Sequence, residues 1–350
     1  MSGKVSAIDL FCGAGGLTHG LIEAGIPVNA GIDFDKTCKY PFETNNNSQF
    51  IHQDIRTVTI TQLQDLYPAD HIRMLVGCAP CQPFSKHTQK NRRRKEDSKW
   101  QLLSYFQNLA EGLKPELVSM ENVPEIANEQ VFTDFMNKLR ELGYHIFAKS
   151  VFCPEYGIPQ NRKRLVVLAS LLGEIEIVPI THESPYYPSV KDAIGNLEHI
   201  AAGAMSRNDP LHRSCLLTPI NQERIRKSKP GGTWLDWEDR LRLPCHKKDT
   251  GKSYSSVYGR MTWEDPAPTI TTQFFSYGTG RFGHPEQDRA LSLREGALLQ
   301  TFPPDYDFID PELDFSLDRV GRYIGNAVPV RLGYVVGQSI LTHLRGICDG

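Results

Sequence analysis

The stretch from Val5 to Asp35 constrains the fold more than any other. VSAIDLF is a short apolar run of strand length, and CGAGG follows it directly. LTHGLIEAG then spaces Leu17, Leu21 and Ile22 along one face of a helix that ends near Gly25. PVNAGIDFD reads as a second strand ending in acids. Strand, glycine turn, helix and strand in that order open a doubly wound α/β domain with a mostly parallel sheet.

The alternation continues past a short HQDI segment. IRMLVGCAP reads as a strand entering a loop, a helix is expected at about Trp100 to Glu111, and PELVSMENVP is a further strand with Glu121 just past its end. VFTDFMNKLRELG is helical in pattern, YHIFAKSVF follows it, and NRKRLVVLAS supplies a late strand. After about Glu183 the rhythm breaks into short apolar patches rich in Pro, Gly, Asp and Trp, consistent with a smaller, loop-rich domain. A helical pattern returns in PVRLGYVVGQSILTHLRG. The expected organisation is a catalytic and cofactor-binding domain over 1–183, a small recognition domain over 184–310, and a segment over 311–350 that returns to the first domain.

Composition narrows the class without naming it. Of 350 residues, 40% are apolar and 23% charged, the balance of a globular protein. The N-terminus has no apolar run suited to a signal peptide and no segment approaches a membrane span, so the cytosol is the default expectation. The eight cysteines are scattered without a disulfide framework or a repeated metal spacing, so reduced thiols and no metal site are expected. A formal net charge of −2 gives no global sign of a polyanionic partner, but Lys86 to Lys95 carries six Lys or Arg and no acid. Asn221 to Lys252 holds nine basic against five acidic residues. Either run is a solvated surface or a local cleft for nucleic acid.

In DLFCGAGG, residues 9–16, glycines let the backbone turn tightly and approach a ligand. Asp33, at the end of the second strand, is suitably placed for ribose hydroxyls. The pattern is neither a complete G-x-G-x-x-G fingerprint nor a P-loop. It suits a nucleoside-containing cofactor that needs no pyrophosphate cradle, such as S-adenosylmethionine. Phe34 is placed either to pack on an adenine or to join the core.

GCAPCQPFS, residues 77–85, sets Cys78 and Cys81 three positions apart. Three readings stand open: a redox or zinc pair, inert thiols, or a single nucleophile. The Ala-Pro between the cysteines and the lack of a second pair at metal spacing favour the last. A thiolate beside a methyl donor suits attack on C6 of cytosine, which breaks the aromaticity and gives C5 the electron density to accept a methyl group. The addition needs a partner at N3, and a base must later remove the C5 proton. Glu121, after an apolar strand, is the candidate for N3, since a partly buried carboxyl there can hold a proton. The alternative is a carboxylate capping the next helix. Arg162 and Arg164 alternate with Lys163, so both can point the same way from an extended segment. One suits the pyrimidine O2 and the other Glu121 or a phosphate; the alternative is a surface basic run.

With these motifs in order, the chain resembles the cytosine-C5 DNA methyltransferases of restriction-modification type over essentially its whole length. DLFCGAGG resembles the family's cofactor loop, Pro80-Cys81-Gln82 its nucleophile motif, Glu121-Asn122-Val123 its glutamate motif, and Gln160, Arg162 and Arg164 its Gln-x-Arg-x-Arg. RALSLREGALLQTFPPDY at 289–306 and RYIGNAVPV at 322–330 resemble its closing segments. The resemblance implies that Cys81 is the nucleophile and that Phe11, Gly13, Gly15, Gly16, Asp33, Phe34, Asp54, Ile55, Pro80, Leu102, Asn326 and Ala327 form the S-adenosylmethionine site. Within it Asp33 would bind the ribose and Asp54 the adenine amino group. Ser85 and Gln82 would lie beside the flipped base and its phosphate, and Lys86, Arg92, Arg93 and Arg94 would neutralise the backbone.

Two departures stand out. Where the family commonly has Gly-Gly-Pro-Pro-Cys, this chain has Gly77-Cys78-Ala79-Pro80-Cys81, which leaves Cys78 as an ordinary small residue near the site. The family's Asp-x-Arg-Gly is here Asp97-Ser98-Lys99-Trp100. The expected partner is double-stranded DNA with the target cytosine flipped out of the stack, read mainly by residues 185–285. A monomer with no membrane attachment is expected, in the cytoplasm of a bacterial or phage-infected cell, beside a cognate endonuclease it need not touch. The rival readings are a tRNA methyltransferase with the same chemistry and a catalytically silent nucleic-acid-binding protein. A nicotinamide oxidoreductase would leave the cysteine, glutamate and arginine motifs without purpose.

Overall fold

The computed structural model describes residues 4–80, 101–248 and 255–348. The chain divides into two compact units. The first holds residues 1–156, 163–181 and 328–350, and the second holds 157–162 and 182–327.

The first unit is built on a seven-stranded sheet. Its strands are β1 (Lys4–Leu10), β2 (Val28–Asp33), β3 (Gln49–His52), β4 (His71–Gly77), β5 (Leu117–Asn122) and β6 (His145–Phe152), and, after the two-residue β7 (Gln160–Asn161) of the second unit, β8 (Lys163–Ser170). The order is β3-β2-β1-β4-β5-β8-β6. β1 to β5 are parallel, while β8 runs antiparallel between β5 and β6. The run LVVLA at 165–169 is buried on both faces, which a strand inside a covered sheet requires, whereas β6 exposes Lys149 and Ser150 as an edge strand. The chain moves outward from β1 to β2 and β3, then returns to β4 on β1's other side. The β1–β4 boundary is therefore the switch point outside whose strand ends ligands bind in such sheets.

Helices cover the sheet. α1 (Gly16–Ala24) stops at Gly25, whose φ of 101° places it in the left-handed cap conformation that glycine adopts without strain. α2 (Lys39–Asn45) and α3 (Ile60–Asp65) follow. α4 (Gln101–Leu113) starts and ends within two residues of the expected span and packs on α5 (Gln130–Glu141), where Phe106 and Phe135 meet edge to face at 5.8 Å.

The second unit carries α6 (Val190–Ile194), α7 (Pro219–Lys227), the two-residue β9 (Ala267–Pro268) paired with β7, α8 (Leu293–Leu299) and α9 (Leu317–Asn326). Trp234, Trp237, Ile225, Leu241 and Tyr277 form one of its cores. With so little ladder, buried side chains satisfy the loop carbonyls. Arg260 donates to the carbonyls of Ile225, His284 and Gln287. Arg289, fully buried, grips Glu295 with two bonds of 2.7 and 2.6 Å. Burial pushes the Glu295 carboxyl upward, but Arg289 outweighs it and holds the group below its ordinary range.

The last helix, α10 (Val330–Cys348), belongs to the first unit and packs along α1. A Cβ on Gly20 would stand 2.1 Å from the Val330 carbonyl oxygen, and one on Gly333 2.8 Å from that of Leu17. Paired glycines thus let the two helix backbones touch.

Arg289→Leu leaves Glu295 buried without its partner and is expected to destabilise the protein by about 3–5 kcal/mol in urea denaturation. The double variant with Glu295→Leu should recover part of that loss. Equal stability of single variant and wild type would show that the pair does not hold the second unit together.

Candidate active site

The carboxyl ends of β1, β2, β4 and β5 share one edge of the sheet and position the first unit's functional side chains. Leu10 pairs with Gly77, the last residues of β1 and β4. A Cβ at Gly77 would meet the Leu10 carbonyl oxygen at 2.5 Å, so the close approach of these ends requires glycine there. The turn over residues 11–16 and the loop from Cys78 onward thus leave side by side.

The turn is held in a conformation few side chains adopt. Phe11, Gly13 and Gly15 have φ of 63°, 52° and 91°. Gly13 donates its N–H to Asp33 Oδ2 at 2.9 Å, and Asp35 donates to Oδ1 at 2.8 Å. Each carboxylate oxygen thereby takes one backbone donor and retains capacity for a second, such as a ribose hydroxyl. Nothing lies within 4 Å of where a Cβ on Gly13 would stand, so the turn leaves open space there. Gly16 begins α1, whose first-turn N–H groups lack intrahelical partners and suit a carboxylate. Phe34 is not core: its side chain is 71% exposed, and His52 Nε2 lies 3.0 Å from its carbonyl oxygen.

Asp54 caps the single helical turn Ile55–Thr57 and lies beside Arg56, whose Nε is 2.9 Å from Oδ1. Hydrogen bonds from the Arg56 side chain hold its carboxyl down at about 2. Ile55 is buried, Leu102 packs against the main core, and Pro80 is exposed. The ring face of Phe34, the unspent capacity of Asp33 and the open turn at Gly13 match the adenine, ribose and amino-acid parts of S-adenosylmethionine. The residues present fit that group.

Beneath the turn, Thr18 donates to Asp9 Oδ2 at 2.7 Å, tying β1 to the first turn of α1. Burial raises Asp9 to about 7, against the Thr18 bond, and raises Asp33 in the same direction. Burial also pushes the Cys12 thiol up, which makes it a poor nucleophile.

Glu121 lies inside β5 rather than past its end: it pairs with Val166 and is 4% exposed. Nor does it cap the following helical turn. Arg164 Nε stands 2.9 Å from Oε1, an ion pair whose N–H is not aligned for a straight hydrogen bond. Cys78 Sγ donates to Oε2 at 2.8 Å. Asn122 Nδ2 donates to the Ala79 carbonyl at 3.0 Å, tethering the loop that leads to Pro80.

The two arginines fall in different units. Arg164 is in the first unit with Glu121, whereas Arg162 is in the second, 4% exposed, with Nη2 donating to the Ala327 carbonyl at 3.4 Å. Neither forms a surface basic run. Gln160 is an anchor within the second unit: Nε2 donates to Gln300 Oε1 at 2.9 Å and Oε1 accepts from the Ile270 N–H at 2.9 Å. Asn326, exposed, ends α9, and Ala327 follows it in the second unit.

Cys81, Gln82, Ser85, Lys86, Arg92, Arg93 and Arg94 lie outside the described residues, as does Trp100. Within the expected reading region, Trp234, Phe274, Phe275 and Tyr277 prove to be interior, and Arg281 Nη1 donates to the Gly232 carbonyl at 2.8 Å. Lys227, Lys229, Lys247 and Lys248 remain exposed. Sequence reasoning passed over Cys78 as an ordinary small residue. The signal that could have found it was its place where the resembling family has glycine. Among the described residues no group of three or more His, Cys, Asp or Glu is arranged to hold a metal ion, and no helix is long and apolar enough to cross a membrane.

A sheet of this order with a cofactor turn at its switch point and a paired carboxyl on the neighbouring strands defines an S-adenosylmethionine-dependent methyltransferase. The family model for C-5 cytosine-specific DNA methylases matches residues 5–342, and the chain belongs to that family. Type II methylase M.HgiDII of Herpetosiphon aurantiacus is 52% identical over 345 residues, covering 98% of this chain and 96% of the relative. Type II methyltransferase M.PspPI of a Psychrobacter species is 30% identical, covering 98% and 80%. Among solved structures, a prophage-encoded Escherichia coli protein described as a DNA modification methyltransferase superposes with a TM-score of 0.73 at 21% identity, covering 97% and 99% of the two chains. The enzyme transfers a methyl group from S-adenosylmethionine to C5 of cytosine in DNA.

The Asp9 carboxyl makes stability depend on pH in a definite direction. Its folded value of about 7 exceeds the unfolded 3.8, so the folded chain keeps a proton that the unfolded chain releases between these values. The associated stability is fully present below about pH 4 and is lost as pH rises to about 7. In thermal denaturation without ligand, wild type should lose on the order of 4 kcal/mol across this window relative to Asp9→Asn. Parallel curves for the two proteins would refute the assignment.

Proposed function

We propose that Cys81 adds as a thiolate to C6 of a cytosine flipped from double-stranded DNA, with Glu121 at N3, Arg164 orienting Glu121 and Arg162 at the pyrimidine O2. The S–C6 bond forms as the C5–C6 π pair moves onto C5, which accepts the methyl group while N3 shares the proton at Glu121. A base then removes the C5 proton, and that electron pair re-forms the C5–C6 double bond as the thiolate leaves. When bound, S-adenosylmethionine supplies the electrophilic methyl. Phe11, Gly13, Gly15, Gly16, Asp33, Phe34, Asp54, Ile55, Pro80, Leu102, Asn326 and Ala327 hold it. The observation that carries this reading is the buried Glu121, paired with Arg164 on the strand beside the one that leads into Pro80-Cys81.

Gln82 and Ser85 meet the flipped nucleotide, while Lys86, Arg92, Arg93 and Arg94 neutralise phosphates. The second unit reads the target sequence, its exposed Lys227, Lys229, Lys247 and Lys248 supplying backbone contacts. The likeness to two Type II enzymes along nearly the whole chain supports a role in a restriction-modification system, beside an endonuclease the enzyme need not touch. It acts as a monomer in the cytoplasm of a bacterial or phage-infected cell.

The test is incubation with S-adenosylmethionine and duplex DNA carrying 5-fluorocytosine at candidate sites. Fluorine cannot leave as a proton, so the protein should remain covalently joined to the DNA. Cys81→Ser should abolish the adduct, whereas Cys78→Ala should still reach it. An adduct of undiminished yield in Cys81→Ser would sink the reading.

A further inference from the structure

The end of β5 holds the loop after β4 through consecutive residues: Glu121 takes the Cys78 thiol and Asn122 takes the Ala79 carbonyl. The two Glu121 oxygens thus have different partners. Oε1 faces a guanidinium at 2.9 Å, while Oε2 accepts a thiol hydrogen across 2.8 Å. Glu121 is 4% exposed, while its two partners, Cys78 and Arg164, are both partly exposed. Arg164 is itself fixed, since its Nη1 donates to the Lys163 carbonyl at 2.7 Å.

We propose that Cys78 is a positioning residue for Glu121. Its thiol fixes the direction of Oε2 before the base arrives and yields that oxygen to cytosine N3 when the base enters. The inference rests on the reading of Glu121 as the N3 partner. A thiol suits the task because S–H is a weak donor: it selects one rotamer of the carboxyl, yet its displacement costs little. The contact from Arg164 is an attraction between full charges, which does not require alignment, and stays in place on Oε1 throughout. A glycine at position 78, as the resembling family commonly has, offers no such donor.

The experiment compares Cys78→Ala, Cys78→Ser and Glu121→Gln with wild type in the full chain. It measures single-turnover methyl transfer to duplex DNA, dissociation constants for cofactor and DNA, and the rate of adduct formation on the 5-fluorocytosine duplex. Thermal midpoints are recorded first, so that a misfolded variant is recognised as such. Cys78→Ala should slow both rates about tenfold, a modest part of the ~10²–10⁴-fold that a positioned proton donor supplies. Both dissociation constants should stay within about twofold, because the contact aligns a reacting group rather than binding either ligand uniformly. Cys78→Ser, which restores a donor of similar reach, should return to within about threefold of wild type. Wild-type rates in Cys78→Ala, or an equal loss in Cys78→Ala and Cys78→Ser, would overturn the positioning role. A wild-type rate in Glu121→Gln would instead overturn the reading on which it rests, and so the two failures are separable.

Discussion

The contact between the Leu10 carbonyl and the bare backbone of Gly77 sets the terms for everything at the active edge. Two parallel strands ending in register, with no side chain between them, release their loops about 5 Å apart, the ordinary inter-strand spacing. One loop becomes the turn that carries Gly13 and Gly15; the other begins with Cys78 and leads to Cys81. β2 contributes Asp33 on one side and β5 contributes Glu121 on the other. The open turn at Gly13 and the buried Glu121 therefore share one sheet edge, because after β3 the chain returns to the other side of β1 at β4.

Burial gives that edge its chemistry. Asp9 and Asp33 both sit where desolvation disfavours their charge, and a neighbouring carboxylate adds to it, Asp33 for Asp9 and Asp35 for Asp33. The turn answers with N–H and O–H donors at 2.7 to 2.9 Å from Thr18, Gly13 and Asp35. The same donors that stabilise the carboxylates fix the loop, so electrostatics and loop shape are one problem solved together. Glu121 has a sparser shell, with one aligned thiol and one unaligned guanidinium, which leaves part of its hydrogen-bonding capacity unspent.

Much of this was legible in the residues, for reasons that differ from place to place. Strand, glycine turn, helix and strand showed at the start because local periodicity and turn chemistry specify them without help from distant residues. Asp33 follows from the same unit. The antiparallel insertion of β8 between β5 and β6 was not legible, since strand order is set by pairings across tens of residues and VVLA would suit any covered strand. Arg162 and Arg164 looked alike in an extended segment, but the chain changes unit between them, and no local pattern signals that. The second unit resisted reading because its order rests on buried Arg260, Arg289 and Glu295 and on stacked aromatic rings such as Trp234 and His246, not on repeating patterns. Cys78 reads as an ordinary small residue because the carboxyl it touches lies 43 positions away.

The glycine-to-glycine approach of α1 and α10 has a consequence for tolerance to change. Gly20 lies against Val330, Gly333 and Tyr334, Gly333 against Leu17, and Gly337 against Ala24, so the seam is sealed by the first half of α10. A single added methyl group at Gly20 or Gly333 would strike backbone, which cannot swing aside as a side chain can, and would wedge the helices apart along their length. Because α1 starts at Gly16, directly after the glycine turn, that wedge would be felt at the ligand edge, and a seam far from any reacting atom governs the shape of the turn.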